Sequence, residues 1–147
     1  MTTYETFNDV LVNLFHEIWE IEEKAIITEE FKDITGNDMH IIEAIGVDEE
    51  KNMSTIARKL GVTMGTLTTA MNGLVNKEYV TRERDVHDRR VVNIRLTEKG
   101  CRAYNQHKKF HQEMIDQAMV GLSEEEVKIL AATLKKISNF FRSYKLD

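Results

Sequence analysis

A mainly α-helical fold carrying one charged, two-stranded β-hairpin is what this 147-residue sequence predicts. Three observations lead there. Apolar residues recur at helical spacing over most of the chain. Two short runs with strand character, EYVTRERD and RVVNIRL, flank the polar connection DVHDR. Seven glycines, 41% hydrophobic and 31% charged residues describe a globular, helix-rich composition.

The first helix is read over residues 5–23. Phe7, Leu11, Leu14, Ile18 and Ile21 fall on one face, with Val12, Phe15 and Trp19 as a second stripe beside it. Two apolar stripes suit a helix that touches both its own core and a second subunit. Glu17, Glu20, Glu22 and Glu23 keep one face wet, which weighs against a fully buried helix in a monomer. Residues 24–34 show no clear period and read as a connection with a short helical turn. Thr35 and Asp38 resemble a capping box opening a second helix that bears Met39, Ile41, Ile42, Ala44 and Ile45 and stops at Gly46. VDEEKN reads as an acidic loop. MSTIARKLG gives a helix of two turns ended at Gly61, and Thr63 caps the next, about Met64–Lys77, with Leu67, Met71, Leu74 and Val75 inward. After the hairpin, Thr97 caps a long fifth helix from about 98 to 120. Ser123 with Glu126 opens the last, whose Val127, Leu130, Leu134, Ile137, Phe141 and Tyr144 repeat at 3–4 spacing.

Composition sets outer limits. The apolar content excludes disorder, and no apolar run approaches the roughly 18–20 residues of a membrane span. The start, MTTYETFNDV, has neither a basic region nor an apolar core, so no secretion signal is expected and the cytoplasm is the expected compartment. One cysteine, Cys101, can form no internal disulfide and no thiolate zinc site by itself; Lys99 and Arg102 nearby raise a redox-sensor role, against which it reads as structural or incidental. No Pro-, Gly- or Ser-rich linker and no long-period repeat appears, so residues 1–147 read as one domain.

The net charge of −5 hides an asymmetry. Residues 1–53 hold three basic and fourteen acidic side chains, residues 54–100 nine and five, and residues 101–147 eight and six. Phosphate attraction depends on the local field within about 8–10 Å at ordinary salt, so a basic middle in an acidic chain is compatible with DNA.

Residues 54–97 carry the strongest functional signal. Ala57 and Gly61 supply the small residue at a helix crossing and the positive-φ exit that a helix-turn-helix requires, with Val62 and Leu67 packing under the turn. The second helix would present Thr63, Met64, Gly65, Thr66, Thr68, Thr69 and Asn72 outward. Small hydroxyl side chains at a helix N-terminus suit docking into a major groove, where they bond phosphates and tolerate thymine methyls. The bland alternative is a solvated face. Against it, Arg82, Arg84, Arg89, Arg90 and Arg95 in the hairpin are all arginine, suited to phosphate forks and minor-groove insertion. His87 and Arg89 lie near the tip, where Asp88 can hold the Arg90 guanidinium.

The run Asp88-Arg89-Arg90-Val91-Val92-Asn93-Ile94-Arg95-Leu96-Thr97 resembles the D-x-R-x5-L-T signature of the multiple-antibiotic-resistance regulator (MarR) family, and helix order and length match that family over essentially the whole chain. The resemblance implies a winged helix-turn-helix with a two-stranded β wing and a helical dimerisation region. On it, about 35–97 form the DNA-binding part and about 1–34 and 98–147 the dimerisation part, with Phe7, Leu11, Leu14, Val127, Leu130, Leu134, Ile137 and Phe141 at the dimer interface. Met64–Asn76 becomes the recognition helix, Val80–Leu96 the wing, and Asp88 the partner of the motif residue Arg90. The implied partner is a pseudo-palindromic double-stranded operator, bound by a cytoplasmic homodimeric repressor with no cofactor.

MHIIEAIG, VTMGTLTTAMN, DRRVVNIRLTEKG and HKKFH are further similar to the FabT-type branch, which represses fatty-acid-synthesis genes with acyl-acyl carrier protein as corepressor. Gly65, an unusual choice early in a recognition helix, fits that branch. The resemblance would place an apolar ligand slot among the first, second and fifth helices, although those stripes read equally as plain core. Another small ligand, or zinc, is the alternative effector. His107 and His111 project from one helix face at a zinc-chelating spacing, and His40 becomes a third candidate because family topology brings the second helix near the fifth. The pair lacks the glutamate of an HExxH motif and shares its stripe with Tyr104 and Met114, so satisfied core or interface histidines are the competing reading and no metal is assigned. A metal-dependent enzyme built on His40, His107 and His111 is the alternative of a different class. It would leave the wing arginines unexplained, and no phosphate loop or nucleophile elbow is present.

Overall fold

The computed structural model describes residues 1–144. In chain order the elements are α1 (Thr3–Asn8), a π-helical segment (Asp9–Leu14), α2 (Phe15–Ile26), α3 (Gly36–Ile45), β1 (Lys51–Asn52), α4 (Met53–Leu60), α5 (Met64–Asn76), β2 (Val80–Arg84), β3 (Val92–Leu96), α6 (Glu98–Met119) and α7 (Glu124–Ser143). The fold class is the expected one, mainly α with a small antiparallel sheet. The chain forms two compact units, one over Met1–Phe110 and one from His111 onward. Among the described residues no helix is long and apolar enough to cross a membrane.

Helix starts follow the capping chemistry of the sequence. Thr2, Thr35 and Ser123 each accept from the backbone N–H three residues on, and Glu5, Asp38 and Glu126 return the bond to the cap residue. Gly46 and Gly61 end α3 and α4 at φ 73° and 67°, conformations a side chain would oppose. The first helix starts earlier than its apolar pattern and runs on to Ile26 through the π-helical segment, whose extra backbone spacing no period-3.6 reading can register.

The core of the first unit is built from α3, α4, α5 and the sheet. Phe31, Ile42, Ile45, Ile56, Leu67, Met71, Leu74, Tyr79 and Ile94 are its largest fully buried side chains. The sheet order is β1-β3-β2, with Val80 opposite Leu96 and Arg84 opposite Val92. This corrects one expectation: the segment read as an acidic loop ends in a third strand, Lys51 and Asn52 pairing with Ile94 and Asn93. Two residues are too few to show alternation; the free edge of β3 recruits them, while Asn52 also caps α4 by accepting from Thr55 N–H at 2.8 Å. A second correction concerns Val62, which is exposed rather than packed under the turn, whereas Leu67 is buried.

A polar junction ties the end of α5 to the sheet and to the start of α6. Glu78 takes the left-handed conformation (φ 69°) that turns the chain out of α5. Tyr79 follows, fully buried, its hydroxyl donating to Asp33 at 2.7 Å and its carbonyl accepting from Thr97 N–H at 3.0 Å. Burial, reinforced by the Asp33 carboxylate, pushes the Tyr79 phenol up, and the same hydrogen bond holds Asp33 below its usual range. Lys77 pairs with the buried Asp38 at 2.8 Å, and Lys99 donates to the Lys77 carbonyl while lying 4.4 Å over the Tyr79 ring. Thr97 caps α6 as expected, accepting from Gly100 N–H.

In the second unit, α6 continues to Met119, the chain turns at Gly121 (φ 95°), and α7 follows. None of the α7 side chains is buried.

Candidate nucleic-acid interface

Helix α4 buries Met53, Ile56 and Ala57 and so turns Ser54 and Arg58, four residues apart, to its opposite face. Gly61 closes it, with Val62 N–H donating back to Ala57 at 3.1 Å, and Thr63 at once caps α5. With Leu67, Met71 and Leu74 buried, the other face of α5 exposes Thr63, Met64, Gly65, Thr66, Thr68, Thr69 and Asn72 together, as the sequence predicts.

The wing is β2, β3 and their connection. Its tip is organised by Asp85, whose carboxylate accepts from His87 N–H, Asp88 N–H and the Asn93 amide at 2.9–3.0 Å. Asp88 accepts from the Arg90 backbone N–H and, through both oxygens, from Nε and Nη2 of the Arg90 guanidinium at 3.0–3.1 Å. These bonds hold Asp85 and Asp88 below the ordinary carboxylate range; for Asp88 the Arg90 side chain is the largest cause. Arg84 donates to the Arg89 carbonyl at 2.8 Å, and Arg82 donates to Asn72 Oδ1 of α5, linking wing and helix directly. His87, Arg89 and Arg90 are exposed at the tip.

Between α4, α5 and the wing lies a cavity of about 480 Å³. Arg58, Arg82, Arg84 and Arg90 line it with Met64 and Thr68, and no carboxylate does. Four guanidiniums around a concave, partly apolar surface form an anion-binding electrostatic footprint inside a chain of net charge −5. Arg95, counted with the wing arginines from sequence, is instead paired with Glu50 at 3.6 Å and does not line the cavity.

Two residues escaped the sequence reading. Arg58 carried a signal, its four-residue spacing from Ser54 on the face opposite Ile56; Asp85 takes its role from three donors that converge on it in the folded tip.

The remaining expected residues fall into separate places. Phe7, Leu11 and Leu14 are exposed along the N-terminal helical segment, together with Val12, Phe15, Trp19 and Ile21. On α7, Leu134 and Phe141 are exposed and Val127, Leu130 and Ile137 half-buried. His40 is exposed on α3. His107 is buried on α6 with Nε2 2.6 Å from Glu43 Oε1, and Glu22 offers a carboxylate oxygen within 4.8 Å of a His107 ring nitrogen. His111 lies one turn further along α6.

Known proteins share this geometry. The MarR family profile matches residues 32–91, the span from α3 to the wing tip. The HTH-type transcriptional regulator SarZ of Staphylococcus haemolyticus is 32% identical over 110 residues, 74% of each chain. The crystal structure of Streptococcus pneumoniae FabT in complex with DNA superposes with a TM-score of 0.88 at 37% identity, covering 97% of this chain and 99% of that one. The S. aureus MepR–DNA complex gives 0.67 at 27% identity over 96% and 99%. These relatives are transcriptional regulators, so the enzyme alternative falls: the protein is not an enzyme. The chain belongs to the MarR family of winged helix-turn-helix transcriptional regulators.

Proposed function

We propose that the protein is a cytoplasmic homodimeric repressor that binds a pseudo-palindromic operator at fatty-acid-synthesis genes, with acyl-acyl carrier protein as corepressor. The observation that carries the DNA reading is the arginine cleft beside the exposed face of α5, lined by four guanidiniums, one of which, Arg90, is held in place by the Asp88 carboxylate. α5 enters a major groove through Thr63, Met64, Gly65, Thr66, Thr68, Thr69 and Asn72. The wing lies over the adjacent minor groove with Arg82, Arg84, His87, Arg89 and Arg90, the last held in place by Asp88. Arg58 joins them on the phosphates. Each neutralised phosphate releases condensed counterions, which makes the affinity fall steeply with salt. Two-fold symmetry sets half-sites about one turn, roughly 10–10.5 bp, apart.

Dimerisation is supported by the exposed apolar side chains along the N-terminal helical segment and on α7, far more than isolated surface residues. The fatty-acid reading is supported by the 37% identity with S. pneumoniae FabT over nearly the whole chain. An effector acts on such a dimer only through differential affinity for the states that match and mismatch the half-site spacing.

Fluorescence anisotropy on the protein's own upstream duplex, in EDTA, with and without long-chain acyl-acyl carrier protein, tests this reading. Tightening of several-fold supports the corepressor. Unchanged binding removes it and leaves a DNA-binding regulator with another effector.

A second reading, zinc as effector, is favoured by Glu22 and Glu43 around His107. Zinc titration by calorimetry, with His107→Ala as control, tests it: no saturable heat removes zinc.

A further inference from the structure

We propose that α5 reads its half-site chiefly through thymine methyl groups, so that the contacted operator positions are A·T pairs; the inference rests on the DNA-binding reading of this helix. It starts from what the helix lacks. Met64–Asn76 contains no lysine, arginine, aspartate or glutamate. Guanine is read most often by arginine or lysine donating to O6 and N7, and cytosine N4 by a carboxylate. Neither reader is available from this helix.

Two of its three hydroxyls donate within the helix, those of Thr68 and Thr69, while Thr66 Oγ1 accepts. Thr68 Oγ1 donates to the Met64 carbonyl at 2.7 Å and Thr69 Oγ1 to the Gly65 carbonyl at 3.2 Å. Thr63 Oγ1 donates to Thr66 Oγ1 at 3.0 Å. A hydroxyl hydrogen turned back onto the preceding turn cannot be given to a base. What Thr68 and Thr69 retain for a partner is a γ-methyl and an acceptor lone pair. Asn72 is committed in the opposite sense: its Oδ1 accepts from Arg82, leaving the amide NH₂ as a donor.

Of these remaining valences, only the methyl contacts distinguish one base, thymine, from the others. The methyls of Thr68 and Thr69 and the exposed Met64 side chain fit the thymine C5-methyl; the hydroxyl lone pairs accept from adenine N6 or cytosine N4 and the Asn72 amide donates to purine N7, thymine O4 or guanine O6, so the methyl contacts decide the pair. Gly65 supplies the approach. A Cβ there would meet nothing within 4 Å, so the protein's own packing does not require the glycine, and its absence of side chain lets the first turn of α5 come close to the groove floor.

The test uses the full chain and a duplex enriched by selection from a random 30-bp library. Anisotropy compares that duplex with one carrying deoxyuridine for thymidine in both half-sites, which removes only the C5-methyls, and with one substituted outside them. The expected result is enrichment of A·T pairs and a loss of roughly fourfold for each contacted methyl removed. Substitution outside the half-sites leaves the affinity unchanged. Thr68→Ser, which deletes the γ-methyl and keeps the hydroxyl, binds the thymidine duplex less tightly and discriminates less between the two. A G·C-rich selected core, or equal affinity for the thymidine and deoxyuridine duplexes while specific binding persists, overturns the inference. Failure to enrich any duplex over the starting library overturns the DNA-binding reading itself.

Discussion

Gly100→Ala should be the most damaging single-methyl substitution in the first unit, and its cost can be worked from the backbone. A Cβ at Gly100 would stand 2.1 Å from the Tyr79 carbonyl oxygen, 3.2 Å from its carbon and 3.3 Å from Leu96 Cβ. Non-bonded carbon contacts settle near about 3.5–4.0 Å, so relief requires the start of α6 and the start of β2 to part by something on the order of 1 Å. The two nearest opposing atoms are Tyr79 backbone and the third is the Leu96 Cβ, none of which a rotamer change can move. Overpacking of this kind costs roughly 1–3 kcal/mol. Parting the segments also strains the Thr97 N–H to Tyr79 bond, worth about 1 kcal/mol. A total of about 2–4 kcal/mol lowers Tm by roughly 5–15 °C for a chain of this size. The assay is thermal unfolding by circular dichroism at fixed protomer concentration, because association would make Tm depend on concentration. Gly73→Ala is the matched control. It lies in α5 with nothing within 4 Å of its Cβ, so the same methyl should leave stability unchanged or raise it by up to about 1 kcal/mol. A Tm for Gly100→Ala within about 2 °C of wild type would refute the steric argument.

Gly65→Ala should separate folding from binding: Tm holds or rises, while operator affinity falls about tenfold, the consequence of roughly 1.4 kcal/mol of steric conflict with the DNA. Unchanged affinity would show that the groove floor does not approach that turn. Arg90→Ala should weaken selected and scrambled duplexes alike and make the salt slope less steep by about 0.9 for each phosphate that is no longer neutralised; an unaltered slope takes Arg90 out of the interface. Replacing Leu134 and Ile137 by glutamate should give a monomer in sedimentation and abolish operator binding, and a persisting dimer would remove this face of α7 from the interface. In an NMR titration, Asp85 and Asp88 should protonate below the 3.8 of a free aspartate. Because their folded-state values are lowered, the tip bonds contribute fully above 3.8 and are lost as pH falls through the lowered values. Midpoints at or above 3.8 would mean that the tip bonds do not form.

The local chemistry of this protein was legible in one dimension. Capping pairs such as Thr35 with Asp38 and Ser123 with Glu126, the stop at Gly61, the inward set Leu67, Met71 and Leu74, and the pairing of Asp88 with Arg90 each depend on residues within a few positions of one another. Short-range geometry fixes them, so spacing in the sequence is spacing in space. The wing arginines were equally visible as a run of one residue type, but their division was not. Arg82, Arg84 and Arg90 came to line one cavity with Arg58 from α4, whereas Arg95 went to Glu50, because strand register and a helix some thirty residues upstream decide who faces whom. Nothing beside Gly100 in the sequence marks it as crowded. Only the packing of α6 against the Tyr79 carbonyl made it a position with no room for a methyl group. The strand at Lys51–Asn52 belongs with these, since two residues have no period of their own and take their conformation from the open hydrogen bonds of β3. Each element and the chemistry along it could thus be read from neighbouring residues, whereas partnerships across the chain awaited folding, because they depend on which surfaces burial brings together.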